Sequence, residues 1–316
     1  MPRTPSVITV TLNPAIDQTM TVRDFTPGAV NRVERVQSTP GGKGVNVAAV
    51  LAAYGISVAA TGFLGGDNAA TFEEMLERKG IGDHFVRIAG QTRVGLKITD
   101  PVRGQTTDIN LPGIAPQPGD LTALHRRFVE LTTSPGAWIV LAGSLPPGVN
   151  PGFYRDMIER FRGRGHRVVL DTSGEPLRLG LDAAPHIVKP NIQELEALIG
   201  AKLATLESVI DAARLWIARG TTLVAVSMGA EGALFVTAGE AVHTRPPVIT
   251  VRSTVGAGDA MVAGLITGYL RKLPLSECAR LATAFSIHAL TQEDSNANSI
   301  EYIEALAKQM SLESYR

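Results

Sequence analysis

The sequence predicts an α/β fold in which a central, mostly parallel β-sheet is covered by helices on both faces and carries a small separate β layer. The first observation is the second half of the chain. From Gly119 onward helical segments alternate with short apolar runs at 138–142, 167–170, 187–189 and 223–226, the pattern of strands joined by crossover helices. The second is a change of character at 85–100 and 105–110, where apolar and polar residues alternate, as in a sheet exposed on one side. The third is continuity. No repeat, linker or low-complexity segment divides the 316 residues, so 1–316 is expected to form one domain.

Residues 7–12 are an apolar run of the sort found in a buried strand. Asn13 and Pro14 end it, and Asp17 follows in what reads as a loop. That loop lies at the carboxyl end of the strand, the edge where open α/β sheets gather ligand groups; a lone acid there can equally be solvated. Residues 19–22 and 31–36 are more polar strands with Pro27 and Gly28 between them. Pro40-Gly41-Gly42-Lys43-Gly44-Val45-Asn46 then opens an alanine-rich helix ending near Tyr54 and Gly55. Glycines at a helix start bring backbone N–H groups close to a ligand, and Lys43 among them supplies a point charge suited to phosphate. A tight turn packed on a neighbour would use the same residues.

Residues 57–64 give another buried strand, closed by Gly65-Gly66-Asp67, and 69–79 a helix. In the alternating region Arg93, Gly95, Lys97 and Thr99 share one face, with Val94, Leu96 and Ile98 on the other. Together with 19–36, residues 85–110 are expected to form a β lid over the main sheet. Arg93 is either an ordinary surface charge or, from its place on that lid, a phosphate ligand.

The later strands end in polar or small residues: Gly143-Ser144 before Leu145-Pro146-Pro147-Gly148, Asp171-Thr172-Ser173, Lys189-Pro190-Asn191, and Ser227-Met228-Gly229. These ends should line up along one edge. Asn191 and Glu194, three apart at a helix start, fit a capping box. They fit equally well a carboxylate holding the water shell of a magnesium ion bound to nucleotide phosphates.

An apolar run at 248–251 reads as a strand, 253–258 is small and glycine-rich, and from Asp259 the pattern is helical. Gly256-Ala257-Gly258 leave several N–H groups open at the positive end of that helix. Asp259 in the same mouth is either a cap or a functional acid. A dinucleotide fingerprint would need glycine where Met261 stands, and a Walker loop would need Ser or Thr after Gly42-Lys43, where Gly44 stands. What remains is a phosphate-sized anion hole with an acid beside it. That suits phosphoryl transfer, with the acid taking the proton of an attacking hydroxyl.

Thirty basic and thirty acidic residues cancel, and no block of like charge occurs, which argues against nucleic acid or an anionic membrane as a partner. The single cysteine, Cys278, permits no internal disulfide, and the six histidines show no metal-ligand spacing. Residues 1–7 lack a signal-peptide layout, and every long apolar stretch is broken well before the roughly 20 residues that span a bilayer. A soluble cytoplasmic protein is expected.

In order along the chain, Thr11-Leu12-Asn13-Pro14-Ala15-Ile16-Asp17, the 41–46 stretch, 143–148, 188–194, 227–232 and 253–259 together resemble the PfkB, or ribokinase-like, carbohydrate kinases, over about 11–290. They are most similar to the branch acting on phosphorylated ketohexoses. Within it Phe63-Leu64-Gly65-Gly66-Asp67-Asn68, Thr92-Arg93-Val94 and Ser253-Thr254-Val255-Gly256 resemble the group that phosphorylates fructose 1-phosphate, with tagatose 6-phosphate and fructose 6-phosphate kinases as near relatives. The resemblance implies a three-layer sandwich with a β lid that often serves as a homodimer interface, and ATP and magnesium as co-substrate and cofactor.

It further implies Asp259 as catalytic base with Gly256, Ala257 and Gly258 as anion hole. Asp17, Gly42 and Asn46 would hold sugar hydroxyls, while Lys43, Arg93 and Ser144 would hold the phosphate already on the sugar. Lys189, Asn191 and Glu194 would face the ATP phosphates and magnesium, Glu194 through water; Ser227, Gly229, Ala230, Glu231 and Gly232 would border the nucleotide. Two residues depart from the pattern: Ala260 where serine is common, and Gly95 where asparagine is common. A missing amide near the sugar bears on which ketose phosphate fits. A kinase for an unphosphorylated sugar would not need Lys43 with Arg93, and a non-catalytic sugar-phosphate sensor would not need Asp259.

Overall fold

The structure is a computed structural model and describes residues 5–251, 256–291 and 300–315. Ser253, Thr254 and Val255 of the glycine-rich turn lie outside the described residues.

The chain begins with β1 (Val7–Thr11), β2 (Ala15–Thr21), β3 (Arg35–Gly41), α1 (Lys43–Ala53), β4 (Val58–Gly65), α2 (Ala70–Arg78), β5 (Gly82–Asp83) and β6 (Val86–Ile88). Next come β7 (Val94–Asp100), β8 (Gln105–Asn110), α3 (Pro118–Leu131), β9 (Trp138–Ala142), α4 (Phe153–Gly163), β10 (Arg167–Asp171), α5 (Gly174–Asp182), β11 (Ile187–Val188), α6 (Ile192–Ile199) and α7 (Leu206–Ile217). It closes with β12 (Leu223–Ser227), β13 (Ala233–Val236), β14 (Ala241–Arg245), α8 (Ala257–Leu270), α9 (Leu275–Thr291), α10 (Ile300–Ala307) and β15 (Ser311–Tyr315).

Among the described residues the large sheet runs β15-β14-β13-β12-β11-β10-β9-β1-β4-β5, with β6 also on β4. Pairing is parallel from β12 across to β5 and antiparallel for β12–β13, β13–β14 and β14–β15. Side chains divide strictly by parity. Trp138, Val140 and Ala142 of β9 pack with α1, α8 and α9, while Ile139 and Leu141 pack with α3, α4 and α7, as the two-residue period of a strand demands. Two apolar layers therefore sandwich the sheet, and the expected three-layer α/β architecture is present.

The second sheet is small and separate, in the order β3-β2-β7-β8. Its strands start and stop elsewhere than expected. β2 begins at Ala15 and includes Asp17, which the sequence reading placed in a loop; β3 occupies 35–41 instead of 31–36. The cause is the ladder itself: Ala15 through Thr21 pair continuously with Gly41 back to Arg35. Pro40, which has no N–H to donate, is tolerated because β3 lies at the sheet edge. The 85–93 part of the expected lid also moves: β6 pairs with β4 at the edge of the large sheet.

The expected strand at 248–251 does not form. Those residues follow β14 as irregular chain with Val248 fully exposed, so the apolar run had no sheet neighbour to bury it. The C-terminal half also adds β13, β14 and β15, which the alternation of helix and strand did not foretell.

Helix α8 is buried on nearly all sides, from Asp259 to Gly268. Gly264 packs against Ala282 and Phe285, and Gly268 against Cys278, so α8 and α9 approach closely. A helix apolar all round belongs in an interior. Here it fixes the first turn of α8 against the end of the sheet.

Candidate active site

The carboxyl ends of β1, β9, β10 and β11 converge with the first turns of α1 and α8. Gly42 caps α1 at φ +118, and a side chain there would press on Pro14 and Thr11 at 3.0 Å. Only glycine fits both constraints. Lys43 is thereby the first residue of α1 and Asn46 lies one turn on, its N–H donating to the Gly42 carbonyl. Gly256 caps α8 at φ +78, in the left-handed region, and Asp259 follows three residues later.

Asn46 Nδ2 donates to Asp259 Oδ2 at 2.8 Å. Asp259 is 6% exposed. Burial, with the nearby Asp171 carboxylate next, pushes its carboxyl up to about 6, against the pull of Lys43, Asn46 and Lys189. A carboxylate made more basic by desolvation and a like charge is what a general base at neutral pH requires. The capping alternative fails to account for this arrangement, since Gly256 holds the cap position and the carboxylate is bound by Asn46 of another helix, α1.

Asp171, the last residue of β10, is fully buried and joins two lysines. Lys43 Nζ donates to Asp171 Oδ1 at 2.9 Å, and Lys189 Nζ stands 3.5 Å from the same oxygen. Burial works to raise the Asp171 carboxyl, but the Lys189 and Lys43 ammonium groups hold it below the usual carboxylate range. Burial likewise works to lower the Lys43 ammonium, and Asp171 and Asp259 outweigh it, holding it above the usual lysine range. Two fixed cations therefore flank the base. Lys189 also lies over the first turn of α8: a Cβ added at Gly258 would sit 3.2 Å from its Nζ. Backbone N–H groups and a cation share that mouth.

On the other side of Lys43, a Cβ added at Gly143 would sit 3.8 Å from the Lys43 Cβ. The next residue, Ser144, accepts a hydrogen bond through Oγ from Asn13 Nδ2 at 3.1 Å. Asn13 in turn accepts through its carbonyl from Arg93 Nη2 at 3.3 Å, and Arg93 Nη1 donates to the Leu111 carbonyl at 3.2 Å. Ser144, Asn13 and Arg93 thus form one hydrogen-bonded rim, with the stem of Lys43 beside Gly143 at its end. A cleft of about 450 Å³ opens beside it, lined among others by Asn13, Gly113, Ser144 and Ser173, a volume suited to a small ligand. Asp17 lies behind Arg93 on β2; burial raises its carboxyl, opposed by Arg93 and Lys97 and reinforced by Asp108.

Asn191 and Glu194 do form the capping box of α6: Glu194 N–H donates to Asn191 Oδ1 at 2.7 Å and Asn191 N–H to Glu194 Oε2 at 2.9 Å. Glu194 also helps hold the Lys43 ammonium in its charged form, so it faces the same site. Ser227 lies one strand over, bridged to Asn191, with its N–H donating to the Pro190 carbonyl. Beyond it Gly229, Ala230 and Glu231 form a 3-10 turn, and Gly232 abuts the Thr244 carbonyl at φ +87.

Two residues of this site carried no role in the sequence reading. Asp171 was legible only as the polar end of an apolar run, and its lysine partners lie 128 positions before it and 18 after it. Asn13 stood inside a recognised motif, but a hydrogen-bond chain to Arg93 and Ser144 has no sequence signal.

A parallel sheet whose carboxyl edge gathers a basic carboxylate, two paired lysines and two glycine-opened helix starts is the scaffold of a carbohydrate kinase, a phosphotransferase with an alcohol group as acceptor. The family model described as pfkB family carbohydrate kinase matches residues 10–301, and the chain belongs to that family. The 1-phosphofructokinase of Rhodobacter capsulatus is 50% identical over 302 residues, covering 96% of each chain. That of Xanthomonas campestris pv. campestris is 47% identical over 292 residues, covering 91% of this chain and 92% of the relative. Among solved structures, phosphofructokinase-2 from Escherichia coli in complex with substrates and products superposes with a TM-score of 0.89 at 29% identity, covering 96% of this chain and 98% of that one.

Proposed function

We propose that the chain transfers the γ-phosphoryl group of ATP to a free hydroxyl of fructose 1-phosphate, giving fructose 1,6-bisphosphate. The observation that carries this reading is Asp259: a buried carboxyl of raised proton affinity, fixed by Asn46 in the glycine-opened mouth of α8. The curated relatives named 1-phosphofructokinase, at 50% and 47% identity, support the choice of sugar phosphate.

Asp259 takes the proton of the attacking hydroxyl, and the N–H groups of Gly256, Ala257 and Gly258 with Lys189 stabilise charge on the moving phosphoryl group. Lys43, Arg93 and Ser144 hold the phosphate already on the sugar, while Asp17, Gly42 and Asn46 hold its hydroxyls. Lys189, Asn191 and Glu194 face the ATP phosphates, and the 227–232 turn borders the nucleotide. Magnesium, when bound, neutralises phosphate charge. Among the described residues no group of three or more acidic, His or Cys side chains could enclose a metal ion. A single carboxylate, Glu194, acting through retained water and nucleotide phosphates, is the kind of site these residues fit.

The small sheet acts as a lid over the sugar. Val36 and Ile109 lie on its apolar face and are 56% and 45% exposed, a surface suited to a second copy of the chain. Among the described residues no helix is long and apolar enough to cross a membrane. The cytoplasm is the compartment we assign, on the single cysteine of the sequence. The test is an ADP-release assay with ATP and fructose 1-phosphate, fructose 6-phosphate and tagatose 6-phosphate in parallel. The highest kcat/KM is expected for fructose 1-phosphate. A preference for either other ketose, or turnover of none, overturns the assignment.

A further inference from the structure

Strand β9 ends in a bend that its neighbours hold through hydrogen bonds. Gly143, the residue after β9, sits at φ +94, in the region that favours glycine. That freedom leaves the peptide unit joining it to Ser144 without a preferred orientation of its own. The residues around it supply one. Thr172 Oγ1 donates to the Gly143 carbonyl at 2.9 Å, and Tyr154 Oη of α4 donates to the same oxygen at 3.0 Å, standing 3.4 Å from the Ala142 carbonyl. The Gly143 N–H in turn donates to the Asp171 carbonyl at 2.9 Å. A carbonyl only accepts, and two hydroxyl donors occupy both of its lone pairs. Tyr154 and Thr172 are buried, whereas Ser144 is exposed and lines the cleft. The hydroxyls therefore brace, from inside, a turn whose next side chain faces ligand space.

We propose that Tyr154 and Thr172 are positioning residues of the sugar-phosphate site: together they fix the Gly143–Ser144 peptide unit and so aim Ser144 Oγ at the phosphate already on the sugar. The inference rests on the kinase reading above, which places Ser144 on that phosphate, and extends it to two buried residues behind it. The peptide unit is planar and trans, so pinning the Gly143 oxygen fixes the point from which the Ser144 side chain starts. Ser144 Oγ also accepts from Asn13, whose carbonyl accepts from Arg93. A displaced Ser144 therefore disturbs the hydrogen-bonded rim as well. Loss of one hydroxyl leaves the other on the carbonyl; loss of both leaves that oxygen unpaired and the glycine free to turn.

The test measures kcat, KM for the preferred ketose phosphate and KM for ATP in Tyr154→Phe, Thr172→Val, Thr172→Ser and the Tyr154→Phe/Thr172→Val double variant. Phenylalanine and valine keep the buried shapes and lack the hydroxyls. Each of these two single variants is expected to raise KM for the sugar phosphate about threefold. The double variant should raise it by more than the product of the two, since either hydroxyl alone still holds the carbonyl. KM for ATP should change far less, and Thr172→Ser, which keeps a hydroxyl, should retain the parental values. In a Ser144→Ala background Thr172→Val should add nothing, because its effect passes through Ser144. Should the double variant fail to fold, the single variants and the Ser144→Ala background decide. An active parent overturns the positioning role alone if its variants keep the parental KM for the sugar phosphate, raise both KM values equally, or keep their effect without the Ser144 hydroxyl. A parent that turns over none of fructose 1-phosphate, fructose 6-phosphate and tagatose 6-phosphate overturns the kinase reading and this inference with it.

Discussion

Asn46 of α1 and Asp259 of α8 meet through a 2.8 Å hydrogen bond, so the first turn of one glycine-opened helix positions the acid on the other. The amide donates, which stabilises the charged carboxylate and partly offsets the effect of burial.

Because the Asp259 carboxyl is pushed up to about 6, kcat/KM should fall as pH drops through that value, where the base takes up a proton and is lost. Asn46→Ala removes a contact that lowers this pKa, so the acid limb should move to higher pH. Asp259→Asn should lower kcat by about 10²-fold or more with little change in either KM. A raised carboxyl pKa favours the fold below the unfolded value and withdraws that support as pH rises through about 6. Asp259→Asn should therefore melt higher than the parent at pH 8, and the gap should narrow toward pH 4. Rate profiles and melting curves from pH 4 to 9 measure all of these.

Arg93→Ala removes the cation bonded to Asn13, and Lys43→Ala the cation bonded to Asp171. Each should raise KM for the sugar phosphate about tenfold or more, since a hydrogen bond to a charged group carries roughly 1.5–3 kcal/mol. KM for ATP should change far less. Equal movement of both constants would remove the two residues from the sugar-phosphate site.

Asp171→Ala strips the shared counter-charge from Lys189, which is 3% exposed. Breaking a buried ion pair by deleting one partner costs about 3–5 kcal/mol. Urea unfolding should show a lowered midpoint, and Asp171→Asn, which keeps the shape, should recover part of it. A stability equal to the parent would show that the pair carries none.

Gly264→Ala sets two effects against each other. Alanine gains about 1 kcal/mol of helix propensity over glycine, yet its Cβ would lie 2.7 Å from the Ala282 Cα of α9. Overpacking a filled core costs roughly 1–3 kcal/mol, and here backbone must give way, so net destabilisation is expected. A melting temperature at or above the parental value would contradict the close approach of α8 and α9.

What was legible in the sequence was what lies close together along it. Gly42-Lys43 and Gly258-Asp259 announce themselves because small residues, a helix start and a functional side chain fall within a few positions. The alternation of helix and apolar strand likewise fixes the parallel part of the large sheet. Relations across the chain were not legible. Asp171 needs both Lys43 and Lys189 in space before its role is visible, and Asp17 joined a strand because β3 and β7 supply partners on both sides of β2. The run 248–251 failed for the converse reason: Val248 and its neighbours are apolar, but both edges of β14 are taken, by β13 and β15. Asn191 and Glu194 form the capping box, one of the two arrangements their spacing allowed, and that box uses one Glu194 carboxylate oxygen.

The bond between Asn46 and Asp259 joins residues 213 positions apart. During synthesis the amide, Lys43 and Asp171 all emerge before the carboxylate, and domains begin to fold from their amino-terminal side. A polypeptide halted between positions 189 and 259 therefore carries Lys43, Asp171 and Lys189 without the carboxylate proposed as proton acceptor. On the proposed mechanism, catalytic competence arrives as one of the last events in the making of the molecule.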